Sequence, residues 1–321
     1  MELTEILAEV PVPSMAVGTM YFGTTVPAAE AHSVLDVAHE QGAWFWDTAN
    51  NYAFWAKGGT GDESEKCLGD WLATRGPRAR EEVMLATKVG ARPRPGSVGL
   101  SDPMGLSAAA LREQLTDSLK RLNTAHVDVL YAHIDDRTVP LEETVGVLGE
   151  LQAEGLTRAI AASNLRADRL AKAVDAGGPS GSGYAALQQR FTYLVPDSEA
   201  DLSPHVLLDG PIEQICINAG IAMLGYSPLL SGAYTRDDRP LPDGYATSAN
   251  DAALGELHSV SDQVGLDAGQ VVLAWMGQRD RPVLPVIGLS GPEQVDSALH
   301  AVSTALPVEA LTRLDAARSS A

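Results

Sequence analysis

Apolar and polar positions follow one rhythm along this chain: short apolar runs, each followed by a longer stretch whose apolar side chains recur at three-to-four spacing. The run 15–19 precedes a helical pattern over 28–39, where Ala31, Val34, Leu35 and Ala38 share a face and Gly42 supplies the stop. The run 43–47 leads through a loop containing Gly58, Gly59 and Gly61 to Asp62, an expected N-cap with Glu65 three residues on, and a helix ending at Gly76. A third run, 83–87, ends in Lys88. After a Gly/Pro-rich segment over 90–105, Ser107 caps a helix striped by Leu111, Leu115, Leu119 and Leu122. A fourth run, 127–132, ends in His133 before a helix over 141–154, and 157–163 precedes one over 166–176. Strands are predicted again over 184–188, 221–226 and 283–287, with helices over 212–219, 251–264, 267–278, 293–302 and 307–317.

Eight such pairs without a break in composition predict a closed parallel (β/α)8 TIM barrel, a single domain over 1–321, since each crossover helix must cover an outer face of the sheet. Residues 1–14 read as a lead-in, a hairpin across the barrel bottom. A doubly wound sheet would need a Gly-x-Gly-x-x-Gly turn after its first strand, and the chain has none. The glycines at 58–61 lack the Gly-Lys-Ser/Thr ending of a phosphate loop. In a barrel the C-terminal ends of the strands share one mouth, so Asp47, Tyr52, Lys88 and His133 are expected to converge there. The 90–106 segment is long enough to act as a lid or to be mobile.

Composition narrows the function. Of 321 residues, 45% are apolar and 20% charged, which supports an ordinary globular core. The net charge of −19 sets the surface against nucleic-acid phosphates, so no nucleic-acid partner is expected. Two cysteines, Cys67 and Cys216, are too few for a disulfide framework and lack metal-ligand spacing; a reduced, cytoplasmic setting and no metal follow. Glu2, Glu5 and Glu9 stand where a secretory signal would be basic, and no apolar run reaches membrane-spanning length. A monomer is the default expectation.

The four ionisable residues suggest a chemistry. A carbonyl accepts hydride poorly unless its oxygen receives a proton, and a tyrosine of ordinary pKa, about 10, is a weak acid. A lysine beside Tyr52 is expected to favour the phenolate, a buried aspartate to keep that lysine charged, and neutral His133 to hold the carbonyl oxygen. Separately, each residue has a structural explanation: strand-end cap, loop anchor, solvated strand end, satisfied core histidine. Their meeting at one mouth is what favours function.

Asp47-Thr48-Ala49-Asn50-Asn51-Tyr52, Ala86-Thr87-Lys88 and Tyr131-Ala132-His133 closely resemble the motifs of the aldo-keto reductases, with Ala53 where glycine is common. The resemblance extends over nearly the whole chain and implies reduction of an aldehyde or ketone, or the reverse, with Asp47, Tyr52, Lys88 and His133 as catalytic tetrad. It implies a nicotinamide cofactor approached by Gly18 and Thr19, its carboxamide held by Ser163, Asn164 and Gln188, its ring stacked on Tyr226. Ser227, Leu229 and Gly232 would line the pyrophosphate, and Gly288, Ser290 and Gln294 would lie at the adenosine end. Many relatives carry Lys or Arg at the positions of Gly288 or Ser290, and Ser297 and Ala298 replace the usual Glu-Asn pair. NADP(H) is favoured over NAD(H) by family habit, although neutral groups replace the cations that bind a 2′-phosphate. Tyr21, Phe22, Phe54 and Trp55 are expected to wall the substrate pocket, whereas Asp135 and Asp136 read as a solvated loop. The pocket is bounded by loops 51–61, 90–106 and 227–250. Alternatives are a Schiff-base aldolase using Lys88 and a non-catalytic nicotinamide-binding regulator of the same fold.

Overall fold

Eight parallel strands close in sequence order into one barrel: β1 (Ala16–Gly18), β2 (Phe45–Asp47), β3 (Met84–Val89), β4 (Val127–Ala132), β5 (Thr157–Ser163), β6 (Ala186–Arg190), β7 (Ala222–Tyr226) and β8 (Leu284–Gly288). The ring shuts where Ala16, Val17 and Gly18 pair with Val286, Ile287 and Gly288. This computed structural model describes residues 14–97, 99–177 and 183–319; the hairpin expected in the lead-in lies outside them. The covering helices are α1 (Ala28–Glu40), α2 (Glu63–Arg75), α3 (Pro77–Glu82), α4 (Ala108–Arg121), α5 (Leu141–Ala153), α6 (Ala167–Gly177), α7 (Gly210–Ala219), α8 (Ser248–Val264), α9 (Ala268–Gln278), α10 (Glu293–Ser303) and α11 (Val308–Ser319). None of the described helices is long and apolar enough to cross a membrane.

Alternation along each strand divides the core in two. Val17, Trp46, Leu85, Leu130, Leu187 and Ile287 join the layer between sheet and helices. There Trp46 meets Trp71 of α2 edge-on at 4.8 Å, a pair that adds about 0.5–1.5 kcal/mol beyond area burial. Inside, Ala16, Phe45, Met84, Ala86, Val129, Ala159, Ala161, Ala186 and Leu224 fill the lower barrel. The many alanines leave volume for long side chains nearer the mouth.

Two local expectations need correction. Asp62 makes no cap bond. Glu63 accepts the amides of Thr60 and Gly61, both at 2.9 Å, while Glu65 turns inward to Thr87 Oγ1 at 2.5 Å and Arg121 Nε at 2.6 Å. Glu65 therefore serves the contact between α2 and the sheet instead of a capping box. Strand β6 lies two residues later than the hydropathy suggests, because its ladder runs on through polar Gln189 and Arg190, whose carbonyl and amide bond to the 206–208 segment. The 90–106 segment folds back on itself, with Pro93 bridged antiparallel to Pro103. Arg92 ties it to Asn50 O at 2.5 Å, and Leu106 N ties it to Asp136 Oδ2 at 2.9 Å.

Candidate active site

Asp47 ends β2, Lys88 stands one residue before the end of β3, and His133 follows β4, so all three project at the C-terminal mouth. Lys88 Nζ, fully buried, donates to Asp47 Oδ2, to Thr48 O at 2.9 Å and to Tyr52 Oη at 2.6 Å. Three acceptors for three N–H groups is the coordination of an ammonium. Gln188 Nε2 donates to the other oxygen of Asp47 at 2.8 Å, so neither carboxylate oxygen is left bare. Tyr52 is held by the turn after it, in which Ala53 sits at φ 57°. That left-handed conformation explains why glycine is common there; alanine accepts it at a cost of about 1–2 kcal/mol.

Burial and neighbouring charge set the protonation states. Burial lowers the Lys88 pKa, opposed by attraction to Asp47. Burial and then the Asp47 carboxylate raise Tyr52 well above the ordinary tyrosine value. The net shift is upward and not the downward one expected from a neighbouring lysine, because the phenol loses the water that would stabilise its anion and lies beside the Asp47 carboxylate. His133 is pushed well below its ordinary value, first by burial, then by Lys88 and His205, so it is neutral. Its Nδ1 is buried without a partner. A bare nitrogen is the less costly orphan, which puts the ring proton on Nε2. The Tyr52 and His133 rings stand edge to face at 5.8 Å, both partly exposed to the mouth.

Sequence reasoning used Tyr131 only as part of a motif. It is fully buried, is the register partner of Lys88, and has its ring 5.6 Å from Nζ. The signal was available: Tyr131 and His133 are two residues apart and so share the inner face of β4 and its extension.

Beyond the tetrad, Ser163 Oγ donates to Gln188 O at 2.7 Å. Asn164 is spent within the protein: Nδ2 bonds His133 O and Ser163 Oγ, each at 3.1 Å, while Oδ1 accepts from Tyr226 Oη at 2.7 Å and Val206 N at 3.2 Å. Thr19 turns away from the mouth, with Oγ1 on Asp47 O and Ser64 Oγ, because a buried hydroxyl must find partners. Gly18 is held closely against β8; a Cβ there would lie 3.3 Å from Ile287 O. Gly288 is open, whereas Ser290 and Gln294 bond each other, with Ser290 N to Gln294 Oε1 at 2.7 Å.

After β7 the backbone turns through Ser227, Leu230, Ser231 and Gly232, all at positive φ, with Leu229 at φ −104° between them. Such successions aim amide N–H groups into a concavity that suits an anion. Arg236 and Arg239 pack beside Gly232. The residues present therefore fit a phosphate-bearing cofactor at this turn. Among the described residues no cluster of His, Cys, Asp or Glu is arranged to hold a metal.

The sequence model of the aldo/keto reductase family matches residues 14–319. The chain belongs to that family. It is 30% identical to the uncharacterized oxidoreductase YrpG of Bacillus subtilis (strain 168), over 95% of this chain and 91% of that protein. It is 29% identical to the aldo-keto reductase AFTS1 of Alternaria alternata, over 90% and 82% of the two chains. A further relative, the aryl-alcohol dehydrogenase GME11368 of Pestalotiopsis microspora, is 26% identical over 89% and 71%. This aldo/keto reductase is accordingly an oxidoreductase of carbonyls and alcohols.

Of the expected substrate wall in this reductase, Tyr21 and Trp55 are exposed, and Phe54 packs edge-on against Trp55 at 5.0 Å. Phe22 is the correction: at 1% exposure it belongs to the layer under the helices and backs the wall without facing the mouth. Two mouth residues carried no sequence signal. His205, from the loop before α7, meets Tyr226 Oη through Nδ1 at 2.9 Å. Asn164 Oδ1 already takes the single Tyr226 hydroxyl proton, so His205 must be the donor there, protonated on Nδ1. Arg190 ends β6 directly opposite Tyr226. The His205 contact depends on the 203–208 segment lying along β6, which no local pattern announces.

Proposed function

We propose that this aldo/keto reductase interconverts an aldehyde or ketone and its alcohol using a nicotinamide cofactor, with Tyr52 as the general acid or base. The observation that carries the reading is the Lys88 ammonium bound at once to Asp47, Thr48 O and Tyr52 Oη. The reduced nicotinamide, when bound, supplies a hydride. Tyr52 accepts from Lys88 and keeps its own proton free, apart from a long 3.4 Å contact to Asp47, to give to a carbonyl oxygen at the mouth. As that proton leaves, the nearby ammonium offsets the charge building on the phenolate oxygen. Asp47 and Gln188 hold the ammonium in place, and His133 Nε2–H donates to the same carbonyl oxygen. Neutral His133 and protonated Tyr52 are the forms that reduction requires.

The same contacts weigh against a Schiff-base aldolase, because a lysine at 0% exposure with every proton donated has neither access nor a lone pair for a carbonyl carbon. Ser163 and Gln188 remain candidates for the carboxamide, Tyr226 for the ring face, and Gly18, Gly288, Ser290 and Gln294 for the adenosine side. Asn164 acts by fixing Tyr226 and the His133 carbonyl. For the cofactor we favour NADP(H) on the habit of the family alone, since Ser290 and Gln294 are neutral and Arg239, beside Gly232, can take the pyrophosphate that NADP(H) and NAD(H) share. The exposed aromatics, and an aryl-alcohol dehydrogenase among the relatives, favour aromatic aldehydes. Fluorescence titration with NADPH and NADH at matched salt, followed by turnover of a benzaldehyde series, tests the reading. Binding of neither cofactor would refute it.

A further inference from the structure

The barrel rim carries several cations although the chain as a whole is strongly acidic, with a net charge of −19. Lys57, Arg166, Arg190 and Arg239 enter no ion pair among the described residues, and all stand at or beyond the C-terminal ends of strands.

Arg190 differs from the other three in being partly buried and fixed. Alternation places Ala186, Gln188 and Arg190 on the inner side of β6, and Gln188 reaches Asp47. Arg190 Nε donates to Tyr245 Oη at 3.0 Å, and its guanidinium lies 5.4 Å from the centre of that ring. Tyr245 is fully buried, so the support is rigid. The two terminal nitrogens bond nothing among the described residues, yet neither is a sealed, unpartnered atom. They are open to solvent as a planar pair of donors, the geometry that matches a carboxylate.

We propose that Arg190 is a specificity-determining residue that takes a carboxylate carried by the substrate, so that the preferred carbonyl compound is an oxo acid or a carboxylated aromatic aldehyde. The inference rests on the oxidoreductase reading above. Two residues along a strand span about 7 Å, so the Arg190 backbone stands roughly that far beyond that of Gln188 on the way out of the barrel. That separation suits a carboxylate several bonds from the carbonyl. A guanidinium binds phosphate by the same chemistry, but the positive-φ turn after β7, with Arg236 and Arg239 beside it, already offers the cofactor an anion site on the next strand.

The test compares kcat/KM for 4-carboxybenzaldehyde and 4-methylbenzaldehyde in the wild type, Arg190→Gln and Arg190→Lys. The ratio of the two substrates cancels any general loss of activity or folded protein. The wild type should favour the carboxylate at least tenfold. Arg190→Gln should cut that ratio about tenfold to a hundredfold, and Arg190→Lys, which keeps charge but loses the fork, should fall between. A wild-type ratio near one, or a ratio unmoved in Arg190→Gln, overturns the proposal. So does an unmoved ratio with NADPH bound tenfold more weakly, which would reassign Arg190 to the cofactor. Calorimetric titration of 4-carboxybenzaldehyde into cofactor-free protein separates the two readings. Binding that needs Arg190, without turnover of either aldehyde, would uphold the carboxylate site and sink the oxidoreductase reading.

Discussion

Replacing Lys88 by Met should destabilise the protein through what it leaves behind. Asp47 is at 0% exposure and keeps only Gln188 Nε2 and the long contact from Tyr52. Two charges about 3 Å apart at an effective dielectric of 20 attract by about 5.5 kcal/mol, and removing one partner of a buried pair typically costs about 3–5 kcal/mol. Lys88→Met is thus expected to cost about 4 kcal/mol, or roughly 6 °C in Tm for a chain of this length. Asp47→Asn strands the ammonium and should cost a similar amount. Asp47→Asn/Lys88→Met removes both charges and should recover about 2–3 kcal/mol relative to the sum of the singles. Urea denaturation of the four proteins at pH 7.5 measures this coupling. Single effects that add to within about 0.5 kcal/mol would show that the pair is not the mutually dependent unit described here.

Tyr52→Phe should lower kcat by at least about a hundredfold while cofactor affinity, read by fluorescence, stays within about threefold; full activity would remove Tyr52 from its role. The rate of carbonyl reduction should be flat from about pH 6.5 to 9, because His133 is already neutral and Tyr52 still protonated across that range; a limb near neutrality would contradict both shifts. With a folded pKa below its ordinary value of about 6.5, His133 contributes stability that is complete above that pH and is lost as pH falls through the folded value. Denaturation at pH 5 and 8 should therefore show a smaller acid loss for His133→Gln, with some slope remaining because His126 and His205 are depressed too. Gly69→Ala should destabilise by about 1–3 kcal/mol despite alanine's better helix propensity, since the new Cβ would lie 2.1 Å from Arg121 O where α2 meets α4; unchanged stability would mean that the helices separate freely.

The strand-end residues show why much of this molecule was legible. A parallel barrel demands apolar runs on strands buried from both sides, and each run stops being apolar where it meets the mouth, so Asp47, Lys88 and His133 announced themselves. Strand β5, 157–163, agrees with its expected bounds because it is buried without a break from Ala159 to Ser163, whereas β6 was displaced because backbone pairing with 206–208 carried it into polar residues. Asp62 has the right residue type and spacing for a cap, but two arginines and a lysine draw its carboxylate away.

The sequence alone determined the alternation of strands and helices, the barrel that follows from it, and the family, together with the four residues proposed as its tetrad, because periodicity and motif spacing are local properties of the chain. The tertiary structure decided what depends on groups far apart in sequence. It set the sign of the Tyr52 shift, through burial and the Asp47 carboxylate beside the phenol. It spent Asn164 and Thr19 on internal bonds and put Phe22 behind the wall. It also brought His205 to Tyr226 by laying one loop along β6, and Arg190 to Tyr226 by the register of β6 on β7. Long-range contacts and burial fix protonation and direction, and neither is written in any short stretch of residues.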